Sequence, residues 1–196
     1  PRLLTVGPDC AQAKKYTALA LAREFRARGL DADFRASGQT GILIAGEGIP
    51  MDAVVADFAA GAAEILSPDA DPAHWDVIEG QGSLSHPAYA GVSLALLHGS
   101  QPDVVVVCHE YGRERMLGHP DYLVPSLEES IDLVLRLGAR TNPAIRCAGV
   151  SLNTGKLVEA EAQRAMGEIA ARLGLPAADP IRGGAAFARL VDSCLA

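Results

Sequence analysis

Gly7-Pro8-Asp9-Cys10-Ala11-Gln12-Ala13-Lys14-Lys15-Tyr16-Thr17 joins the apolar run Leu3 to Val6 to a helix-patterned stretch. In that stretch, Lys15 to Arg28, the residues Leu19, Ala22, Phe25 and Arg26 recur at helical spacing, and Gly29 stops it. A strand that turns through such a loop into a helix leaves backbone amides free at the helix start, and a lysine beside them adds a mobile positive charge. The combination predicts an anion pocket. Of the three lysines in the chain, Lys14 and Lys15 sit in this loop, and Lys156 follows another strand-like run.

Outward from the loop the pattern alternates strand and helix. Asp31 to Arg35 reads as a second strand, and Ala36–Gly48, rich in glycine and polar residues, as an active-site loop. Pro50 then opens a helix from about Met51 to Leu66. Val77 and Ile78 form a short buried strand that ends in Glu79-Gly80-Gln81-Gly82, and Val92 to His98 is a short helix. Val104 to Cys108 is a strand ending at His109-Glu110, followed by a helix from Leu127 to Leu137 behind Pro125 and Ser126. Cys147 to Leu152 is a strand ending at Asn153, Glu159 to Leu173 a helix, Ala177 to Ile181 a short edge strand, and Ala185 to Leu195 a closing helix. Continuous apolar strands separated by helices are covered on both faces, so the fold is α/β, a mainly parallel sheet with helices on both faces and right-handed crossovers. Ligands of such sheets bind beyond the carboxyl ends of the strands. Asp9, Lys14, Ser37, Glu79, Gln81, His109, Glu110 and Asn153 all fall at that edge.

The chain has 196 residues, 49% hydrophobic and 21% charged, enough for one domain with a sizeable core and unlike a disordered chain. A net charge of −7 argues against a nucleic-acid binder or a partner for anionic membranes, while leaving room for a local anion pocket. There is neither an 18-residue apolar run nor a basic–apolar–small signal pattern. Cys10, Cys108, Cys147 and Cys194 are widely spaced without a C-x-x-C pair, which reads as free, largely buried thiols and a cytoplasmic protein with no structural zinc. A start at Pro1 without a methionine, already one residue into a strand, suggests that residues 1–196 are a single domain from a longer protein whose preceding N-terminal domain is absent.

The loop departs from the standard phosphate-loop pattern G-x-x-x-x-G-K-[ST]. It is one residue longer, Ala13 stands in place of the second glycine, and Lys15 occupies the Ser/Thr position. It resembles the longer phosphate loop of the dethiobiotin synthetases, with their Gly-Thr-Asp start and Gly-Lys-Thr end. It is more similar to a bacterial domain-of-unknown-function family carrying Gly-Thr-Asp-Cys-Ala followed by Gly-Lys-Lys-Tyr-Thr. Gly7, Asp9, Cys10, Ala11, Lys14, Lys15, Tyr16 and Thr17 match, whereas Pro8, Gln12 and Ala13 depart. Trp75-Asp76-Val77-Ile78-Glu79-Gly80-Gln81-Gly82-Ser83-Leu84 resembles the second signature of that family, and Ser37–Gly41 and Gly149–Thr154 resemble further stretches. The resemblance implies a three-layer sandwich like that of the P-loop NTPases. It also implies D-glutamate N-acetylation from acetyl-CoA, known for some members, which carry a further N-terminal domain. A cofactor site made of Gly7, Asp9, Cys10, Ala11, Gln12, Ala13, Lys14, Lys15, Tyr16 and Thr17 follows from the loop match. By the dethiobiotin synthetase likeness, Asn153 contacts a nucleotide base.

Each candidate has a functional and a structural reading. Ala13 costs on the order of 1 kcal/mol or more if its φ is positive and nothing if it is already helical. Asp9 either orients a lysine, water or metal, or caps the loop. Glu79 is a proton-transfer group with a raised pKa, a metal-linked carboxylate, or an acceptor for neighbouring backbone N–H groups. His109 is a general base or an ordinary hydrogen-bonded histidine. Gln81 points into the cleft, where it can stabilise an oxyanion. Arg113 and Arg115 clamp substrate carboxylates or lie on a solvated surface. Ser37, Gln39 and Thr40 belong to a loop that can close over a ligand.

Three functions accommodate these residues. In the first, the loop holds the phosphates of acetyl-CoA, Glu79 or His109 deprotonates the amine of D-glutamate or a similar amino acid, and Arg113 or Arg115 holds its carboxylates. In the second, Lys14 neutralises the phosphates of ATP while Asp9, Glu79 and Thr17 position Mg²⁺, and a carboxylate substrate is activated. In the third, the domain binds a nucleotide or CoA, or forms a homo-oligomer, and chemistry needs its N-terminal partner.

Overall fold

The computed structural model describes residues 1–196 and opens with strand β1 (Arg2–Val6), the phosphate-type loop and helix α1 (Lys14–Ala27). There follow β2 (Ala32–Arg35), α2 (Gln39–Ala45), two 3₁₀ turns at Met51–Ala53 and Ala56–Phe58, α3 (Ala59–Leu66), β3 (Trp75–Ile78) and α4 (Ala90–Ser100). The second half comprises β4 (Val104–Glu110), β5 (Arg115–Met116), β6 (His119–Leu123), α5 (Leu127–Gly138), β7 (Arg146–Asn153), α6 (Glu159–Leu173), β8 (Ala177–Ala178) and α7 (Gly184–Leu195). Six strands form one sheet in the order β2-β3-β1-β4-β7-β8 with every pairing parallel, and β5 and β6 form a separate antiparallel hairpin. No helix is long and apolar enough to cross a membrane.

The three layers follow from the strand side chains. Leu3, Val77, Val104 and Val106 pack on Leu21, Phe25, Phe187 and Leu190 of α1 and α7. Leu4, Ile78 and Val105 face Ala63, Leu96 and Val134 of α3, α4 and α5. Val107, Val150 and Leu152 cover Leu127, Met166 and Ile169 beneath α5 and α6. Strands buried on both faces are the reason for their unbroken apolar runs. The chain passes from β1 outward to β2 and returns through β3, then crosses β1 to reach β4. The loops after β1 and β3 therefore diverge over the middle of the sheet, where such folds bind ligands.

Three local expectations are corrected. Ala36–Gly48 is not a loop throughout, because Gln39–Ala45 is helical, anchored at its start by the buried Glu79. The segment Met51–Leu66 is not one helix: it breaks into two 3₁₀ turns, with extended backbone at Val54 between them, before α3. The edge strand shrinks to Ala177–Ala178, since Asp179 leaves the ladder to accept the amide and hydroxyl of Thr154. The β5–β6 hairpin has no apolar alternation and is invisible to periodicity; β6 is mostly exposed.

Candidate active site

The loop before α1 has no side-chain cap, and its backbone is left-handed at two alanines, Ala11 (φ 52°) and Ala13 (φ 66°). Ala13 thus adopts the conformation in which a Cβ is unfavourable, at a cost of roughly 1–2 kcal/mol. Gly7 and Gly80 are required by close approach. A Cβ on Gly7 would lie 2.5 Å from the carbonyl oxygen of Cys108, and one on Gly80 would lie 1.6 Å from that of Thr5.

Lys14 is buried under this loop, its Nζ donating to the carbonyl of Asp9 at 2.8 Å, and burial pushes its pKa down. An anion above the loop would supply the missing counter-charge. Gln12 is fully buried and neither its amide nitrogen nor its oxygen has a partner, which is costly unless a ligand or a loop movement meets it. Lys15 is half-buried beside the exposed Tyr16, with Nζ 5.3 Å from the ring centroid. These residues, with Cys10, Glu79, Gln81, Tyr89 and Val92, line a cavity of about 530 Å³.

Asp9 is the structural pivot. It is completely buried, Oδ1 accepts the amide of Cys10 (2.7 Å), and Oδ2 accepts Arg113 (3.0 Å) and the amide of Leu117 (2.9 Å). Arg113 also donates to the carbonyl of Cys10 and to Glu110, so one guanidinium ties the phosphate-type loop to β4 and to the turn leading into β5. Lys156 completes this ion network on Glu110 at 2.6 Å, holding that carboxyl below its ordinary range. The third lysine therefore pairs with an acid and does not join the anion pocket.

Glu79 accepts the amides of Ser37 (3.1 Å) and Gly38 (3.0 Å) on Oε2 and lies under the start of α2. Burial raises its pKa and those amides hold it back. Ser37 is itself buried, donating to the carbonyl of Glu79 and accepting Gln81 Nε2 at 3.1 Å. Gln39 and Thr40 are exposed in the first turn of α2. Thr17 is buried away from the cavity, its hydroxyl shared with Ala13 O (3.1 Å) and Ser151 Oγ (2.7 Å). Asn153 accepts the amide of Gly155 on its side chain and that of Tyr111 on its carbonyl, outside the loop cavity. Arg115 is exposed in β5.

His109 lies elsewhere. With Arg113 it lines a second cavity, of about 570 Å³, between the hairpin and the ends of α5 and α6. Burial, followed by the charge of Arg113, depresses its pKa, and Nδ1 is buried without a partner. Lys14, Lys15, Glu79 and Gln81 thus line one cavity and His109 and Arg113 another, and Arg113 ties the two regions together through Asp9 and Cys10. Sequence reading missed Arg172 and Glu168 of the second cavity, which lie on a helix with no local motif.

Asp9, Cys10 and His86 bring ligand-type atoms within 4.8 Å of one another. His86 Nδ1 accepts the amide of Ala88, which places the ring proton on Nε2, the nitrogen 4.0 Å from Asp9. That tautomer offers no lone pair toward Asp9, so the cluster does not fit a metal. Burial raises the thiol pKa of Cys10, and those of Cys108 and Cys147 are pushed up to about 11.

The model of the domain-of-unknown-function family DUF1611, specifically its P-loop domain, matches residues 1–191. The chain belongs to the DUF1611 family. This DUF1611 domain is 55% identical over 195 residues to a D-glutamate N-acetyltransferase of Tritonibacter scottomollicae and 49% identical to one of Pseudoalteromonas sp.. It is covered completely in both matches but spans only 58% and 57% of those proteins. Among solved structures, a DUF1611 family protein from Anabaena variabilis superposes with a TM-score of 0.93 at 36% identity, over 99% of this chain and 56% of that one. Cobyrinic acid a,c-diamide synthase from Mycobacterium smegmatis, solved with an ATP analogue and magnesium, reaches 0.59 at 15% identity over 99% and 93% of the chains, which establishes the P-loop NTPase-like sandwich alone.

Proposed function

We propose that this domain binds acetyl-CoA through the loop before α1 and serves N-acetylation of D-glutamate or a similar amino acid. Two relatives are D-glutamate N-acetyltransferases, and because they extend well beyond the matched region the activity is proposed for the whole protein. The observation that carries the choice of ligand is the donor set around Lys14. A buried lysine under a loop of open amides fits the phosphates of CoA. The oxygens that Mg²⁺ would need are engaged: Asp9 accepts three N–H groups, Thr17 bonds Ser151, and Glu79 holds the start of α2. Lys15 stands where the usual metal-binding hydroxyl would be. The residues therefore do not fit Mg-ATP chemistry.

The thioester supplies an activated acyl carbon, and the protein must bind the phosphates and remove protons from the amine. His109 suits the second task better than Glu79, since its depressed pKa keeps the imidazole neutral and able to accept a proton near pH 7. Glu79 is given the supporting task of holding Ser37 and α2, and Gln81 that of lining the cofactor cavity. Calorimetric titration of CoA, acetyl-CoA and ATP, each with and without Mg²⁺, tests the reading. The expected result is magnesium-independent CoA binding weakened at least tenfold by Lys14→Ala. Binding of ATP alone, dependent on Mg²⁺, would overturn it.

A further inference from the structure

We propose that the 570 Å³ cavity between the β5–β6 hairpin and helices α5 and α6 is the binding site for a carboxylate-bearing α-amino acid, with Arg172 as its specificity residue. The assignment deepens the acyl-transfer reading, which supplies the use of the site, but amino-acid binding is measurable without it. The cavity combines a buried apolar floor, Leu127 and Ile169, with charges of both signs around it. Arg172 supplies positive charge, and Glu114 and Glu168 supply negative charge. A short alkyl chain bearing an ammonium and carboxylates matches such a lining, whereas a polyanion or a wholly apolar ligand does not.

The two arginines of the cavity differ in availability. Arg113 is committed to Asp9, Cys10 and Glu110. Arg172 has one carboxylate partner, Glu128 at 3.2 Å, and both side chains are about half exposed, so the pair is weak and exchangeable. A ligand carboxylate can take the guanidinium through two parallel N–H bonds. His109 lines the same cavity; its Nδ1 is enclosed and unpartnered, so the imidazole meets the ligand amine through its remaining ring edge.

The partition between the two cavities is thin. Arg113 lines the second cavity while donating to the carbonyl of Cys10, which lines the first. CoA carries its thioester on a long flexible arm, so its phosphates and its acyl group need not share one cavity. In the resulting transfer the ammonium gives one proton to His109, and the amine nitrogen forms a C–N bond to the acyl carbon. Collapse of the adduct breaks the C–S bond. The CoA thiolate takes the imidazolium proton, and the second amine proton leaves to solvent.

The test is calorimetric titration of the 196-residue chain with D-glutamate and with glutarate, which lacks the amine, in the presence and absence of CoA. Arg172→Gln is expected to weaken D-glutamate at least tenfold and leave CoA affinity unchanged, while Lys14→Ala does the reverse; thermal melts confirm that both variants fold. Glutarate is expected to bind at least tenfold more weakly than D-glutamate. The proposal is overturned if D-glutamate does not bind, if Arg172→Gln leaves its affinity intact, or if glutarate binds equally well. Arg172-dependent D-glutamate binding by a chain that does not bind CoA would support the amino-acid site and refute the acyl-transfer reading.

Discussion

The loops before α1 and α5 bring the chain into a helix in opposite ways. At α5, Ser126 accepts the amide of Glu129, and the Glu129 carboxylate accepts the amide and hydroxyl of Ser126, so the helix start satisfies itself. At α1 there is no side-chain cap, two alanines are left-handed, Gln12 is buried without partners, and Lys14 bonds only a loop carbonyl. A closed cap serves stability. An open, strained start held rigid by its surroundings has the character of a ligand site.

The largest expected effect comes from removing what holds the open loop. Asp9→Ala leaves Arg113 and two backbone amides without their buried acceptor, a loss on the order of 3 kcal/mol. Urea unfolding should show it, and a change below about 1 kcal/mol would mean that the loop does not depend on this pivot. Closing the comparison from the other side, Ser126→Ala should cost about 1 kcal/mol in the same measurement while leaving CoA affinity unchanged. A loss of CoA binding there would contradict the division of roles.

A smaller gain is expected from Ala13→Gly. Relief of the left-handed alanine is partly offset by the greater freedom of glycine in the unfolded chain, leaving a net stabilisation of about 0.5 kcal/mol. At roughly 2–4 °C per kcal/mol, the melting temperature should rise by about 1–2 °C. A fall would show that the loop is not strained at this position. The most modest signature concerns pH. A His109 pKa below the ordinary 6.5 means that the proton-accepting form is already populated at neutral pH. Acetyl transfer by the whole protein should be flat near pH 7 and decline only as pH falls below the usual histidine range. Through the same linkage, stability contributed by the neutral buried imidazole is lost on acidification below 6.5. A rate still rising between pH 7 and 8 would point to another base.

Much of the scaffold is legible in the sequence. Val104 to Cys108 and Cys147 to Leu152 are unbroken apolar runs, and such runs have one comfortable place, the middle of a doubly covered sheet. The lysine-bearing loop was legible because a strand-to-helix turn leaves the same amides unpaired whatever surrounds it. Other parts depend on contacts remote in sequence. α2 exists where glycines suggested a loop because Glu79, about forty residues away, binds the amides at its start. Arg113 reads from sequence as either a substrate clamp or a solvated surface residue, yet its guanidinium is tied to Asp9 across more than one hundred residues.

The sequence by itself determined the layered parallel sheet and the edge on which chemistry gathers, since hydrophobic period and strand-end polarity are local properties. Only the tertiary structure decided that Lys14, Glu79 and Gln81 line one cavity while His109 and Arg172 line another. Position along the edge is set by strand order, β1 and β3 on one side of the Asp9–Arg113 pair and β4, α5 and α6 on the other. Strand order is a consequence of packing between distant segments, which no local pattern encodes.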